Sequence, residues 1–181
     1  MKKFFLMAIA ALAMTFVACG NKGANKAEAD AEDEGEKEGF VVYTNDTYAF
    51  TVEVPAWMKR VDPQYNPESG TTYMSNPDDM FDINRVSIYG DNDGYVYDPW
   101  TPENVKKRFD STIEDMNNVT AQACKDMEFT ITRKSDGHTT IEYNKFKDMK
   151  QVTITIDYDD DKADKLGGDV AKHIFESVTI K

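Results

Sequence analysis

Tyr48-Ala49-Phe50-Thr51-Val52-Glu53-Val54-Pro55-Ala56-Trp57 alternates apolar and polar side chains until a proline stops it. Successive side chains of a strand point to opposite faces. Tyr48, Phe50, Val52 and Val54 therefore share one face, and Ala49, Thr51 and Glu53 the other, which predicts a strand with one buried side. Pro55 has no N–H to give to a ladder and marks the end of the run. Residues 40–44 form a second extended run just upstream, and Asn45-Asp46 between the two is a turn signal. The pair is expected to form an antiparallel hairpin.

The same period recurs at residues 83–89, 127–133, 139–146 and 152–158, with Ser135-Asp136-Gly137 as a tight turn between two of these runs. Short connections between alternating runs indicate an antiparallel meander. Two helices interrupt it. Thr101 is a side-chain cap followed by Pro102 at the first helical position, and Val105, Phe109, Ile113 and Met116 then recur on one face. A second helix is predicted over residues 169–176, with Val170, Ile174 and Phe175 apolar and Gly167-Gly168 opposing an earlier start; residues 177–180 return to extended backbone. A one-faced antiparallel sheet buries that face most simply under amphipathic helices, so the fold class is α+β.

On these residues the chain resembles a known family. The stretch from Tyr48 to Trp57 is similar to the opening of PsbP-like domains, in which a strand ending in Pro and then Trp follows a short N-terminal strand. Ala171-Lys172-His173-Ile174-Phe175-Glu176-Ser177-Val178 is similar to their closing helix and final strand, and Thr101-Pro102-Glu103 falls where the family also places a helix. The resemblance spans residues 40–181 and implies an α/β/α sandwich around an antiparallel sheet. The family includes extrinsic subunits of photosystem II, an import factor that binds the GTPase Ran, and many bacterial lipoproteins of unknown role. It implies binding to a partner rather than a reaction, and fold-level analogy selects no single activity.

The N-terminus speaks to location. Lys2 and Lys3 precede an apolar run from Phe4 to Val17, and Ala18 sets a small residue before Cys19, the layout of a secretory signal. The run is shorter than the roughly 20 apolar residues a spanning helix needs. Phe16-Val17-Ala18-Cys19 resembles the lipobox of bacterial lipoproteins, which implies that Cys19 is acylated and becomes the mature N-terminus. Each buried CH₂ contributes about 0.8 kcal/mol, so two or three acyl chains hold where one exchanges. Residues 1–18 are thus read as a signal peptide and 19–39 as the lipidated Cys with an acidic tether. The tether has seven acids against three lysines and no aromatic or branched aliphatic residue, and is expected to be disordered. Residues 40–181 form the globular domain, near the modal size of one. The expected location is a Gram-negative envelope, at the outer membrane, facing the periplasm or the cell surface.

The chain carries a net charge of −12, of which the signal lysines contribute +2 and the tether −4, leaving −10 on the domain. That field repels phosphate backbones and disfavours nucleic acid as a partner. Cys124 is the only other cysteine, so an internal disulfide within the mature domain is not expected; a buried, inert thiol is the simpler reading.

Catalytic material is scarce. His138 and His173 are the only histidines, and neither GxSxG, a phosphate-binding glycine loop nor CxxC occurs. His138 adjoins the Ser135-Asp136-Gly137 turn, too close along one hairpin for a convergent triad; His173 is expected to be solvent-facing or satisfied. Asp91-Asn92-Asp93-Gly94 alternates carboxylates before a glycine, as a calcium loop does, but in that register Tyr89 would be the first ligand and Trp100 the last. An oxygen site from Asp91, Asp93 and Asp98 stays open beside the simpler hairpin turn. The acids from Asp157 to Asp161 read as a solvated loop. The stretch with Asp91, Asp93, Tyr95, Tyr97, Asp98 and Trp100 is a candidate partner-binding loop, since aromatics among acids on a loop suit recognition; a lid over the core is the competing reading. The expected function is a lipid-anchored, non-catalytic binding or assembly module with an envelope protein as partner and no cofactor. The alternatives are a divalent-cation or small-ligand binder, and a cryptic enzyme using Cys124.

Overall fold

The structure, a computed structural model, describes residues 39–63, 66–92 and 98–181. The hairpin of the opening stretch forms as β1 (Phe40–Asn45) and β2 (Phe50–Pro55), antiparallel, with Asn45 opposite Phe50. Asn45 Oδ1 accepts the Tyr48 backbone N–H at 2.9 Å, and Ala49 at φ 54° turns the chain. That left-handed residue ends the extended backbone, so Tyr48 belongs to the turn and not to the strand, one departure from the expected alternation.

Seven further strands form a second, larger sheet. They are β3 (Lys59–Val61), β4 (Gly70–Met74), β5 (Arg85–Asn92), β6 (Val119–Lys125), β7 (Glu128–Ser135), β8 (His138–Lys147) and β9 (Lys150–Asp159). Their order is β3-β4-β5-β9-β8-β7-β6, antiparallel throughout. The C-terminal β10 (Thr179–Ile180) joins β2, making the small sheet β1-β2-β10. The helices are α1 (Pro102–Glu114), α2 (Ala163–Leu166) and α3 (Gly168–Ser177).

Register assigns the faces. Val86 and Ile88 on β5 lie opposite Ile156 and Ile154 on β9, which in turn lie opposite Ile141 and Tyr143 on β8. These residues bury together with Phe50, Val52 and Val54 of β2 and with Leu166, Ala171 and Ile174 of the helices, forming the main core. One face of the large sheet is thus covered by the small sheet, α2 and α3. Phe129, Ile131 and Phe146 have the opposite parity and pack with Val105 and Phe109 of α1 in a second core on the other face. The α+β sandwich expected from the sequence is the observed one, with a small second sheet added to one layer. Three lysines tie that sheet to the large one: Lys145, Lys147 and Lys150 donate Nζ to the carbonyls of Val178, Ile180 and Lys181 at 2.8, 2.8 and 2.7 Å.

Helix α1 starts where its cap predicts, with Thr101 Oγ1 accepting the Asn104 N–H at 3.2 Å. Its stripe is graded in depth: Val105 and Phe109 are buried, whereas Ile113 and Met116 are half-buried at the rim. Phe109→Ala should therefore cost about 3–5 kcal/mol and Ile113→Ala about half of that. Urea midpoints of the two variants measure this; equal shifts would mean that α1 packs flat along its whole length.

Candidate functional site

An open concavity of the described surface lies between α3 and the sheet. Thr130 on β7 is opposite Tyr143 on β8, and Thr132 opposite Ile141, so these four side chains share the face that α3 partly covers. Ala171 and Ile174 anchor α3 in the core, which leaves Lys172, Phe175 and Glu176 toward the edge. The result is a groove of about 560 Å³ floored by Thr130, Thr132, Ile141 and Tyr143 and walled by α3.

Its centre is built from an aromatic pair and a hydrogen-bonded phenol. The Tyr143 and Phe175 rings stack at 4.7 Å between centroids and 15° between planes. The Tyr143 hydroxyl donates to Glu128 Oε2 at 2.7 Å. Burial, reinforced by that carboxylate, pushes the Tyr143 phenol far above its ordinary value, so it remains a neutral donor. Lys145 lines the groove with its ammonium held by the Val178 carbonyl, and Lys172 lies 3.8 Å from Glu176. Charges of both signs, two threonine hydroxyls and an aromatic pair suit an extended segment with one apolar side chain and polar flanks. Neither cysteine nor histidine lines the groove.

The candidate loop fares unevenly. Asp91 is exposed near the end of β5, and Asp98 is exposed before α1. Trp100 is buried, 9% exposed, with its ring 4.5 Å from Phe146 and its backbone N–H donating to the Asp148 carbonyl at 2.6 Å. The indole packs on the second core, where it removes far more apolar area from water than an exposed position would. Asp93, Tyr95 and Tyr97 lie outside the described residues, as do Cys19 and the tether up to Glu38. Among the described residues no group of three or more His, Cys, Asp or Glu side chains is disposed to hold a metal ion.

Sequence reasoning missed one polar cluster. The Asp157 carboxylate, nearly buried on β9, accepts Arg85 Nε at 3.0 Å and Thr140 Oγ1 at 2.7 Å, and His138 Nε2 stands 3.5 Å from it. Strand alternation assigns each of Arg85, Asp157 and Thr140 only to a face of its own strand, and the register of β5, β9 and β8 sets the three in one cross-strand row. Ser135 lies opposite His138 where β7 turns into β8, and the cluster fastens three strands through Asp157. His173 is satisfied, as expected, by Glu53 Oε2 at 2.7 Å, with its ring stacked on Phe40. Cys124, expected in the core, is half-buried on edge strand β6, and desolvation pushes its thiol up, away from the thiolate a nucleophile requires.

No protein-family model matches this chain, and no curated protein matches it significantly. Solved structures do. The solution structure of cyanobacterial PsbP (CyanoP) from Synechocystis sp. PCC 6803 superposes with a TM-score of 0.54 over 84% of this chain and 98% of that one, at 14% identity. The fold is therefore PsbP-like, as the sequence resemblance implied.

Proposed function

We propose that this chain is a lipid-anchored protein of a Gram-negative envelope whose PsbP-like domain is a non-catalytic binding module, taking a segment of an envelope protein into the groove between α3 and β7–β8. The groove carries this reading. It combines an open volume with a preorganised aromatic pair and two threonine hydroxyls, and neither a cysteine nor a histidine is among its lining residues. The lipobox-like Phe16-Val17-Ala18-Cys19 and the acidic tether support anchoring: a flexible coil of about 20 residues spans roughly 25 Å, and its charge lengthens it. Such a domain can search for its partner while staying tethered. No cofactor enters the scheme.

The test is crosslinking in intact envelopes with two variants. Thr132→Arg sets a long side chain into the groove from a half-buried strand position and should abolish the crosslinked complex while shifting the thermal midpoint by only a few degrees. An undiminished complex would remove the groove from the interface. Cys19→Ala removes the only thiol placed to accept the lipid, and the variant should leave the membrane fraction after a high-salt wash; retention there would sink the anchor.

A further inference from the structure

Between β4 and β5 the chain exposes Met80 at 85% and Phe81 at 81% of their surface. Isolated apolar residues on a surface are ordinary. Two adjacent large ones at the tip of a fixed turn are different, because a flexible loop could fold them down and this one is held open. Asp82 is the hub. Its Oδ2 accepts the Ser75 hydroxyl at 2.6 Å and the Asn76 N–H at 2.7 Å, and its Oδ1 accepts the Asn84 N–H at 3.0 Å and Nδ2 at 2.8 Å. Asp79 Oδ1 accepts the Phe81 N–H at 2.9 Å, and Asn84 Oδ1 accepts the Asp159 N–H at 3.0 Å, bolting the turn to β9. Burial works to raise the Asp82 carboxyl, yet the bonds from Ser75, Asn84 and Asn76 outweigh it and hold the group below its usual value.

The surroundings select the partner. Asp78 and Asp79 flank the tip and are exposed. The ladder β5-β9-β8-β7 brings the β7–β8 turn with Asp136, Asp159 at the end of β9, and Asp160 and Asp161 after it, to the same end of the sheet. Arg85, Lys134 and Lys162 at this end are each engaged by an aspartate, and Lys59 and Arg133, which the register brings to the same end, are outnumbered by Asp78, Asp79, Asp136, Asp159, Asp160 and Asp161. An acidic field around an apolar tip repels anionic lipid headgroups, and on a domain of charge −10 it equally repels a second copy. It attracts a surface with basic side chains around an apolar hole.

We propose that Met80 and Phe81 are a preformed plug for an apolar pocket with a Lys- or Arg-rich rim on a different envelope protein. This contact is separate from the α3 groove and does not depend on it. Preorganisation by Asp82 lowers the ordering cost of docking, and the two side chains are the kind of flexible and aromatic anchors that fill such pockets.

The experiment places a benzophenone amino acid at Phe81 in the full, processed chain, irradiates intact envelopes and sequences the crosslinked peptide. The expected product is a peptide of another protein, apolar at the joined residue and with Lys or Arg beside it. Its yield should fall several-fold in Asp78→Lys, whose carboxylate takes no part in holding the turn, at least tenfold in Met80→Ser, and fall with added salt. Thermal midpoints of these variants should match the parent, since the residues changed are exposed. A lipid adduct, a peptide of this same chain, an absence of adduct, or a yield indifferent to the charge reversal would each overturn the proposal. Thr132→Arg should leave this crosslink in place, which separates its outcome from that of the groove.

Discussion

Phe50→Ala is expected to destabilise the domain by about 3–5 kcal/mol, read as a fall in the urea midpoint at unchanged slope. Phe50 has no exposed surface and, with Val52 and Val54, is one of the β2 residues through which the small sheet meets the large one. Its ring lies edge-on to Tyr43 at 6.0 Å and sits directly over Gly90 of β5: a Cβ at that glycine would stand 2.6 Å from the Phe50 ring. Backbone on one side and β2 on the other leave little freedom for collapse, and a cavity that cannot collapse costs the most. Against a total stability of about 5–15 kcal/mol for a domain, the loss approaches the margin for folding. A shift below about 1 kcal/mol would show that the two sheets do not rely on this contact.

Gly70→Ala should be comparably severe, about 3 kcal/mol or more, for a different reason. A Cβ at Gly70 would lie 1.9 Å from the Ile88 carbonyl oxygen, a backbone atom of the neighbouring strand. No rotamer change relieves that clash. Relief requires parting β4 from β5 along the pairing that runs from Gly70 opposite Tyr89 to Met74 opposite Arg85, and β3 depends on β4 in turn. Ordinary overpacking costs about 1–3 kcal/mol because side chains give way, and here they cannot. Gly137 is the control. It has φ 80° and nothing within 4 Å of its missing Cβ, so Gly137→Ala should cost only the backbone strain, about 1 kcal/mol. Equal thermal midpoints for the two variants would refute the steric account.

The strands that could be read in advance were those with one buried face. β2, β5, β7, β8 and β9 each carry apolar residues at alternate positions, so solvent on one side and core on the other are written in composition. β3, β4 and β6 were not legible. β3 has three residues, two of them exposed and charged, and β6 is exposed along most of both faces at the edge of the sheet. β4 buries Thr71 beside Tyr73, and a threonine carries no hydropathy signal for the inside. Edge strands and polar strands are held by ladder hydrogen bonds from neighbours, a partner the local sequence does not mention. The candidate site divides in the same way. The aromatics near residue 100 were visible, but the inward direction of Trp100 depends on Phe146, 46 positions away along the chain. The α3 groove joins β7, β8 and the final helix, and nothing in any one of them announces it.

By itself the sequence determined what short-range sterics and hydrogen bonds decide. Thr101-Pro102 starts α1, and the Ser135-Asp136-Gly137 turn closes a hairpin because Asp136 and Gly137 accept positive φ, at 50° and 80°. Alternation set which side of each run faces inward. Only the tertiary structure decided the order β3-β4-β5-β9-β8-β7-β6, the diversion of β1, β2 and β10 into a second sheet, the union of Arg85, Thr140 and His138 around Asp157, and the outward set of Met80 and Phe81. These are closures between distant segments, in which many pairings satisfy the same local pattern. The one adopted is selected by the joint fit of side-chain volumes and buried polar partners, a property of the assembled whole that no window of the chain contains.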